Sequence, residues 1–254
     1  MLKLKNLSFS YAEEKVLADI SFSAEKGELI TLIGPNGSGK STLLKCITSY
    51  LKIDSGSVEI NGNNIYNLPR RKRAELIAYV PQQREFNFPM TVFEAVLMGR
   101  KPYSSWKPSQ LDKELTAEVI SDFNLEQIAF KNISQLSGGQ QQKVFAARAV
   151  VQDSELILLD EPTSNLDLKH QLEIFEVIEN QVKKDKTVIA AVHDLGLASR
   201  FSQRIIMLKD GKVYSDGDRN SLTHEKINDV YGVEVSLKEH NGYKVVIADQ
   251  VIKV

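Results

Sequence analysis

The run Gly34-Pro35-Asn36-Gly37-Ser38-Gly39-Lys40-Ser41-Thr42 sets glycines ahead of a lysine and two hydroxyls. Glycine lets a backbone turn tightly enough for its N–H groups to surround a phosphate. Lys40 adds a point positive charge, and a hydroxyl such as Ser41 coordinates Mg²⁺ beside the β- and γ-phosphates. The spacing satisfies G-x-x-x-x-G-K-[ST], between an apolar strand and a helix, which is the context the motif requires. Far along the chain, Leu156-Ile157-Leu158-Leu159 runs straight into Asp160-Glu161-Pro162. Four apolar residues read as a buried parallel strand, and α/β sheets hold ligands at the C-terminal ends of such strands. There Asp160 can hold Mg²⁺ through a water. Glu161 is then free to polarise a water for attack on the γ-phosphate.

Leu136-Ser137-Gly138-Gly139-Gln140 is a second nest for an anion. Two glycines after a serine, at the start of a helical stretch, expose backbone N–H groups at a positive helix end. One chain with two such nests has two different jobs for them. Further candidates sit at strand ends. His193 follows the apolar strand 187–192 and lies beside Asp160 and Glu161, within reach of a γ-phosphate. Gln82 follows Tyr79-Val80-Pro81 and can offer an amide to Mg²⁺, with Gln83 as the competing choice. Tyr11 closes the first strand, either as a platform for adenine or as an edge-strand aromatic. His170, His224 and His240 have polar surroundings and are expected at the surface.

These groups need a scaffold. Strands are expected over 2–11, 16–23 and 28–33, followed by the phosphate loop, a helix from 40 to about 51, and a short strand at 57–61. A helix over 68–76 leads to a buried strand at 77–80, which Pro81 stops. Thr91 and Glu94 form a capping box for a helix over 92–98 that Gly99 should end, and 111–122 is a second amphipathic helix. Strand–helix alternation then resumes: 155–160, a helix over 167–183, 187–192, a short helix, and 204–208, with Asp210-Gly211 turning into 212–215. The expected fold class is therefore α/β. A nucleotide-binding lobe (1–85 and 152–220) is interrupted by a helical subdomain (86–151) and followed by an extension (221–254). In the extension, Asn241-Gly242 signals a hairpin, read as a small structural appendage.

Composition excludes several classes. A chain of 254 residues with 42% hydrophobic and 26% charged residues is an ordinary globular one. A net charge of −1 gives no global field toward nucleic acid or an anionic membrane. Arg70-Arg71-Lys72-Arg73 is accordingly read as a solvated helix face. One cysteine, Cys46, permits no internal disulfide and falls on an apolar helix face. The longest apolar runs are far shorter than the ~20 residues that span a bilayer, and the N-terminus alternates like a strand rather than a signal peptide.

Taken in order, Tyr11, GPNGSGKST, Gln82, LSGGQ, LILLDEP, Ser164-Asn165-Leu166-Asp167 and His193 resemble the ABC transporter ATPases over nearly the whole chain. The resemblance implies a P-loop NTPase core, a RecA-like parallel sheet with an antiparallel β-subdomain and an inserted helical subdomain. It implies ATP and Mg²⁺ as ligands, with Ser41, Gln82 and Asp160 at the metal. It implies head-to-tail pairing, in which Ser137, Gly138, Gly139 and Gln140 close over ATP held by the partner's phosphate loop and Asp167 crosses the interface. Val96-Leu97-Met98-Gly99-Arg100-Lys101-Pro102-Tyr103, Leu166 to Gln171, Val192-His193-Asp194-Leu195 and Val230-Tyr231-Gly232-Val233 are similar to ATPases of iron–siderophore, haem and vitamin B12 importers. That group implies transmembrane permease partners at the cytoplasmic face of the cell membrane, a substrate-binding protein indirectly, and no nucleic acid. Phe86, Phe88, Tyr103 and Trp106 are candidates for the permease groove, or for buried packing. The other readings are a manganese or zinc importer ATPase, and a soluble ABC ATPase acting on DNA or the ribosome.

Overall fold

Alternating apolar and polar residues at the start of the chain make two long strands with one buried face, β1 (Leu2–Tyr11) and β2 (Glu14–Ala24). The computed structural model describes residues 1–82, 89–103, 107–164 and 166–252. After β2 come β3 (Leu29–Ile33), α1 (Lys40–Ile47), β4 (Ser55–Ile60), β5 (Asn63–Asn64), α2 (Arg70–Leu76) and β6 (Ile77–Val80). Three helices follow, α3 (Val92–Leu97), α4 (Gln110–Asp122) and α5 (Gly138–Val151). Then come β7 (Leu156–Asp160), α6 (Leu168–Lys183), β8 (Thr187–Ala191), α7 (Leu195–Phe201), β9 (Arg204–Lys209), β10 (Lys212–Gly217), α8 (His224–Tyr231), β11 (Val233–His240) and β12 (Tyr243–Val251).

The central sheet has the order β10-β9-β3-β8-β7-β6, parallel except for β10 at its edge. Every residue of β3, β7 and β8 is buried. The two-residue period of a strand sends alternate side chains to opposite faces. Leu156 and Leu158 pack with α1 and the antiparallel sheet β2-β1-β4-β5. Ile157 and Leu159 pack on the other face with Ile174, Phe175 and Phe201 of α6 and α7. A third core, including Val92, Val96, Ile120 and Val144, joins α3, α4 and α5. This is the α/β architecture with a parallel sheet, an antiparallel sheet and an inserted group of helices.

Strand order decides where the chemistry gathers. β8 lies between β3 and β7, and β6 lies outside β7. The loops after β3, β7, β8 and β6 therefore emerge side by side, although they are widely separated in sequence.

Several local expectations change. The helix after the phosphate loop stops at Ile47 because Ser49 takes a left-handed φ of 57°. The Tyr66 hydroxyl then donates to the carbonyls of Cys46 and Leu51, at 2.7 and 3.0 Å. Cys46 is fully buried as expected, and burial pushes its thiol up to about 12. Arg70, Arg71 and Lys72 form an exposed helix face, where Arg71 and Lys72 pair with Glu75. His170 is not a free surface group: it is 27% exposed and its ring bonds Asp167 at 2.7 Å. The terminal hairpin is a structural appendage docked on the lobe. Val235 is buried beside α8, the Lys244 N–H donates to Ser199 Oγ at 2.7 Å, and the Lys244 ammonium donates to the Leu222 carbonyl at 2.6 Å.

Gly99 does not end its helix. The capping box of Thr91 and Glu94 starts α3 as expected, but the chain continues into a 3-10 turn over Met98–Arg100. Gly99 is required for another reason. A Cβ there would meet the Arg148 carbonyl oxygen at 2.3 Å and Val151 Cγ1 at 2.6 Å, so α5 leaves no room for a side chain. The neighbouring Arg100 is buried, donating to Asp112 at 2.9 Å and to the Val151 carbonyl at 3.0 Å. Its guanidinium holds the Asp112 carboxyl below the usual carboxylate range. Gly99→Ala should destabilise the fold by about 1–3 kcal/mol through overpacking, lowering Tm by about 2–12 °C in a thermal melt. A Tm shift under about 1 °C would contradict that close approach.

Tyr103 is partly exposed, stacked on the Arg100 guanidinium and hydrogen-bonded to the Glu75 carbonyl at 3.3 Å. Phe86, Phe88, Trp106, Gln83 and Asn165 lie outside the described residues. Among the described residues, no helix is long and apolar enough to cross a membrane.

Candidate active site

The turn from β3 into α1 is the phosphate loop. Gly34 has φ 150°, and a Cβ on it would fall 2.3 Å from the Leu208 carbonyl oxygen of the neighbouring strand β9, so only glycine fits. Gly37 and Gly39 also have positive φ, which lets the backbone curl back on itself. Lys40 is only 5% exposed and its ammonium donates to the carbonyls of Gly34 and Pro35 at 2.7 and 2.9 Å. Burial lowers its pKa, while the nearby Glu161 and Asp160 carboxylates act in the opposite direction. Ser38 Oγ is buried with no hydrogen-bond partner among the described residues.

Asp160 ends β7 next to this turn. Its Oδ1 accepts a 2.8 Å hydrogen bond from Ser41 Oγ, which brings together two groups predicted at one metal. Tyr79 Oη donates to the other carboxylate oxygen at 3.3 Å. Burial pushes the Asp160 carboxyl up, and the hydrogen bonds from Ser41 and Tyr79 draw it back down.

Glu161 takes a left-handed φ of 52°, a costly conformation for a long side chain. Its N–H still reaches the Ala191 carbonyl at 3.0 Å, so the twist occurs while the residue remains tied to β8. The twist turns its carboxylate between two neighbours. Gln82 Nε2 donates to Oε2 at 2.7 Å, and His193 Nε2 lies 2.5 Å from Oε1. The Glu161 side chain is 11% exposed and His193 is 44% exposed.

A cleft of about 630 Å³ opens over these groups, lined by Asn36, Gly37, Gly39, Lys40, Ser41, Thr42, Gln82, Glu161 and His193, and by Tyr11 from the end of β1. Tyr11 is 45% exposed and stands edge-on to Phe9 at 4.8 Å. Sequence reasoning missed Glu14 and Val16, which complete this end across the tight turn from β1 to β2. It also missed the Tyr79 contact, although Tyr79 is the one bulky polar group in an otherwise buried apolar strand.

The second nest is elsewhere. Ser137 caps α5, accepting from the Gln140 N–H at 3.3 Å while the Gln140 side chain accepts from the Ser137 N–H at 3.1 Å. Ser137 and Gly138 are exposed, and no residue from Ser137 to Gln140 lines the cleft. Gly138 faces open space, Gly139 meets only ordinary contacts near Leu166 and His170, and neither has a positive φ. Among the described residues, nothing demands glycine at either position. Asp167 is also outside the cleft; it caps α6, and the His170 N–H and ring hold its carboxyl below the usual range.

A glycine-rich anion turn, a buried lysine and an Asp-Glu pair at adjacent strand ends of a parallel sheet define a P-loop nucleotide-binding ATPase. Residues 17–164 match the ABC transporter family model. Over 248 residues the chain is 44% identical to an ABC transporter ATP-binding protein of Methanocaldococcus jannaschii, covering 97% of each chain. It is 33% identical to the petrobactin import ATP-binding protein of Bacillus subtilis, covering 94% of this chain and 95% of that one. Among solved structures it superposes on a metal-chelate type ABC transporter in an inward-facing conformation, with TM-score 0.84, 26% identity and coverage of 98% and 97%. It also superposes on a dimeric ATP-binding cassette bound to ADP and Pi, with TM-score 0.78, 34% identity and coverage of 86% and 99%. The chain belongs to the ABC transporter family, as an ATP-hydrolysing subunit.

Proposed function

We propose that two copies of this chain pair head to tail around two shared ATP sites, and that ATP-driven closure of the pair powers uptake of a metal chelate through permease subunits. The observation that carries this reading is the placement of Ser137, Gly138 and Gly139. They form an exposed anion nest outside the cleft that is lined by the phosphate loop, Lys40, Gln82, Glu161 and His193. Glycines that their own chain does not need are explained by a ligand brought by another chain. The dimeric cassette and the import proteins among the similar chains support the pairing and the direction of transport. The metal-chelate assignment rests on the petrobactin and metal-chelate relatives.

Within each site the roles follow from position. Backbone N–H groups of residues 36–42 and the Lys40 ammonium hold the phosphates, and Tyr11 stacks on the base. Glu161 accepts a proton from the attacking water, and His193 faces the γ-phosphate from the end of β8. The partner's copies of Ser137, Gly138, Gly139 and Gln140 close the site, with Asp167 at the interface. Mg²⁺ fits the donors: Ser41 Oγ and the Asp160 carboxylate are hard oxygens 2.8 Å apart. Among the described residues no three His, Cys, Asp or Glu side chains cluster around a metal, which suits an ion held largely by phosphate oxygens and water. Ser41, Asp160 and Gln82 would hold it, and when bound it neutralises charge on the β- and γ-phosphates. The helical segment 86–151 forms a subdomain inserted in the lobe of 1–85 and 152–220, and the subunit sits on the cytoplasmic face of the membrane through its permease.

Complementation tests the shared site. Lys40→Ala and Ser137→Arg chains should each be inactive alone. Mixed, their heterodimer contains one intact site, so ATPase activity should return in the mixture. No recovery, with both variants folded, would argue for sites within single chains. In proteoliposomes with the co-purified permease, ATP should drive uptake of a ferric siderophore. Uptake of free Mn²⁺ instead would overturn the chelate assignment.

A further inference from the structure

α5 carries the anion nest at its N-terminus, and one turn later it carries Gln142. The Gln142 amide donates to the Pro162 carbonyl at 2.7 Å and to the Glu161 carbonyl at 3.3 Å. Its neighbours on the helix are committed elsewhere. Gln141 holds the carbonyls of Ile133 and Leu136, at 3.2 and 3.3 Å, ahead of the nest. The buried Lys143 pairs with Glu173 of α6. Gln142 alone of these three side chains is bonded to the turn that follows β7.

That turn needs support. A left-handed glutamate is strained and persists only where its surroundings over-determine it. The Glu161 N–H is fixed to Ala191, and its carbonyl accepts from the Ser164 N–H at 3.3 Å and Ser164 Oγ at 3.1 Å. Both Ser164 bonds come from the same turn and move with it. The Gln142 bonds come from a different element, so the orientation of the Glu161–Pro162 peptide depends on where α5 lies. That peptide aims the carboxylate lying 2.7 Å from Gln82 and 2.5 Å from His193.

We propose that Gln142 is a positioning residue that couples the two ATP sites of the dimer. Docking of the partner's nucleotide on Ser137, Gly138 and Gly139 moves or steadies α5. Gln142 transmits that to the peptide carrying Glu161, which acts on the chain's own nucleotide. This rests on the shared-site reading, because in a self-contained site the nest and the glutamate would serve one ATP.

The complementing heterodimer provides the test. Its single intact site uses Glu161 of the Ser137→Arg chain and the nest of the Lys40→Ala chain. Gln142→Leu placed in the Ser137→Arg chain should lower kcat about tenfold, as expected for losing one or two hydrogen bonds that orient a reacting group, with KM for ATP within about twofold. Placed in the Lys40→Ala chain, where Glu161 is idle, the same change should leave turnover within about twofold. Gln142→Lys keeps an N–H donor of sufficient reach and should recover part of the loss. Equal losses in both chains, or none in either, would overturn the proposal. Failure of the parent mixture to regain activity would instead count against the shared site, so the two ideas fail by different results.

Discussion

Replacing Glu161 with glutamine should lower ATP turnover by about 10²–10⁴ while ATP binding is retained, the loss expected when a general base is removed. In barrier terms this is about 2.7–5.5 kcal/mol. The substitution is nearly isosteric, and an amide oxygen can still accept from Gln82 Nε2 at its 2.7 Å separation. What disappears is the negative charge and the lone pair that takes a proton from water. The left-handed backbone at 161 is no harder for glutamine than for glutamate, so folding should be unaffected. The variant should therefore bind ATP and accumulate as a closed dimer, visible as a nucleotide-dependent shift on size exclusion. Steady-state turnover within about threefold of the parent would remove Glu161 from its assigned role.

Lys40→Ala should weaken ATP binding by at least about 30-fold, from the loss of about 2–5 kcal/mol of charge-assisted contact in a desolvated site. The ammonium is 5% exposed and lies in the same pocket as Asp160 and Glu161. Without it, two carboxylates face the incoming phosphates with no fixed cation between them. Lys40 also ties the carbonyls of Gly34 and Pro35 together, so the substitution loosens the loop itself. A melt of the variant without nucleotide separates this from lost attraction: Tm should fall by no more than a few degrees, roughly 1 kcal/mol. Unchanged affinity, read by titration with a fluorescent ATP analogue, would contradict the assignment.

The elements of this chain were readable wherever local rules decide them. The buried strand Leu156-Ile157-Leu158-Leu159, the capping box at Thr91 and the hairpin at Asn241-Gly242 all depend on neighbours a few residues away. Gly99 was misread because it looks like a helix stop, whereas its requirement comes from Arg148 on another helix. The seat of the terminal hairpin was not readable for the same reason: its Lys244 N–H bonds Ser199, 45 residues away in sequence. Tyr79 on Asp160 and Gln142 on Pro162 carry no local signature at all.

What the linear order of residues established was the inventory: a phosphate loop, a magnesium-type aspartate beside a glutamate, a histidine at a strand end, and a spare anion nest. Residue type and short spacing suffice for that, because each motif is a local backbone shape plus one or two functional groups. The tertiary structure decided which of them meet. The order β3-β8-β7-β6 gathers Lys40, His193, Glu161 and Gln82 at one edge, and the twist at Glu161 turns its carboxylate between Gln82 and His193. The same packing places Ser137 to Gln140 outside the cleft, at the start of a helix whose buried face joins α3 and α4. That placement, invisible in the motif itself, is what the proposed pairing rests on.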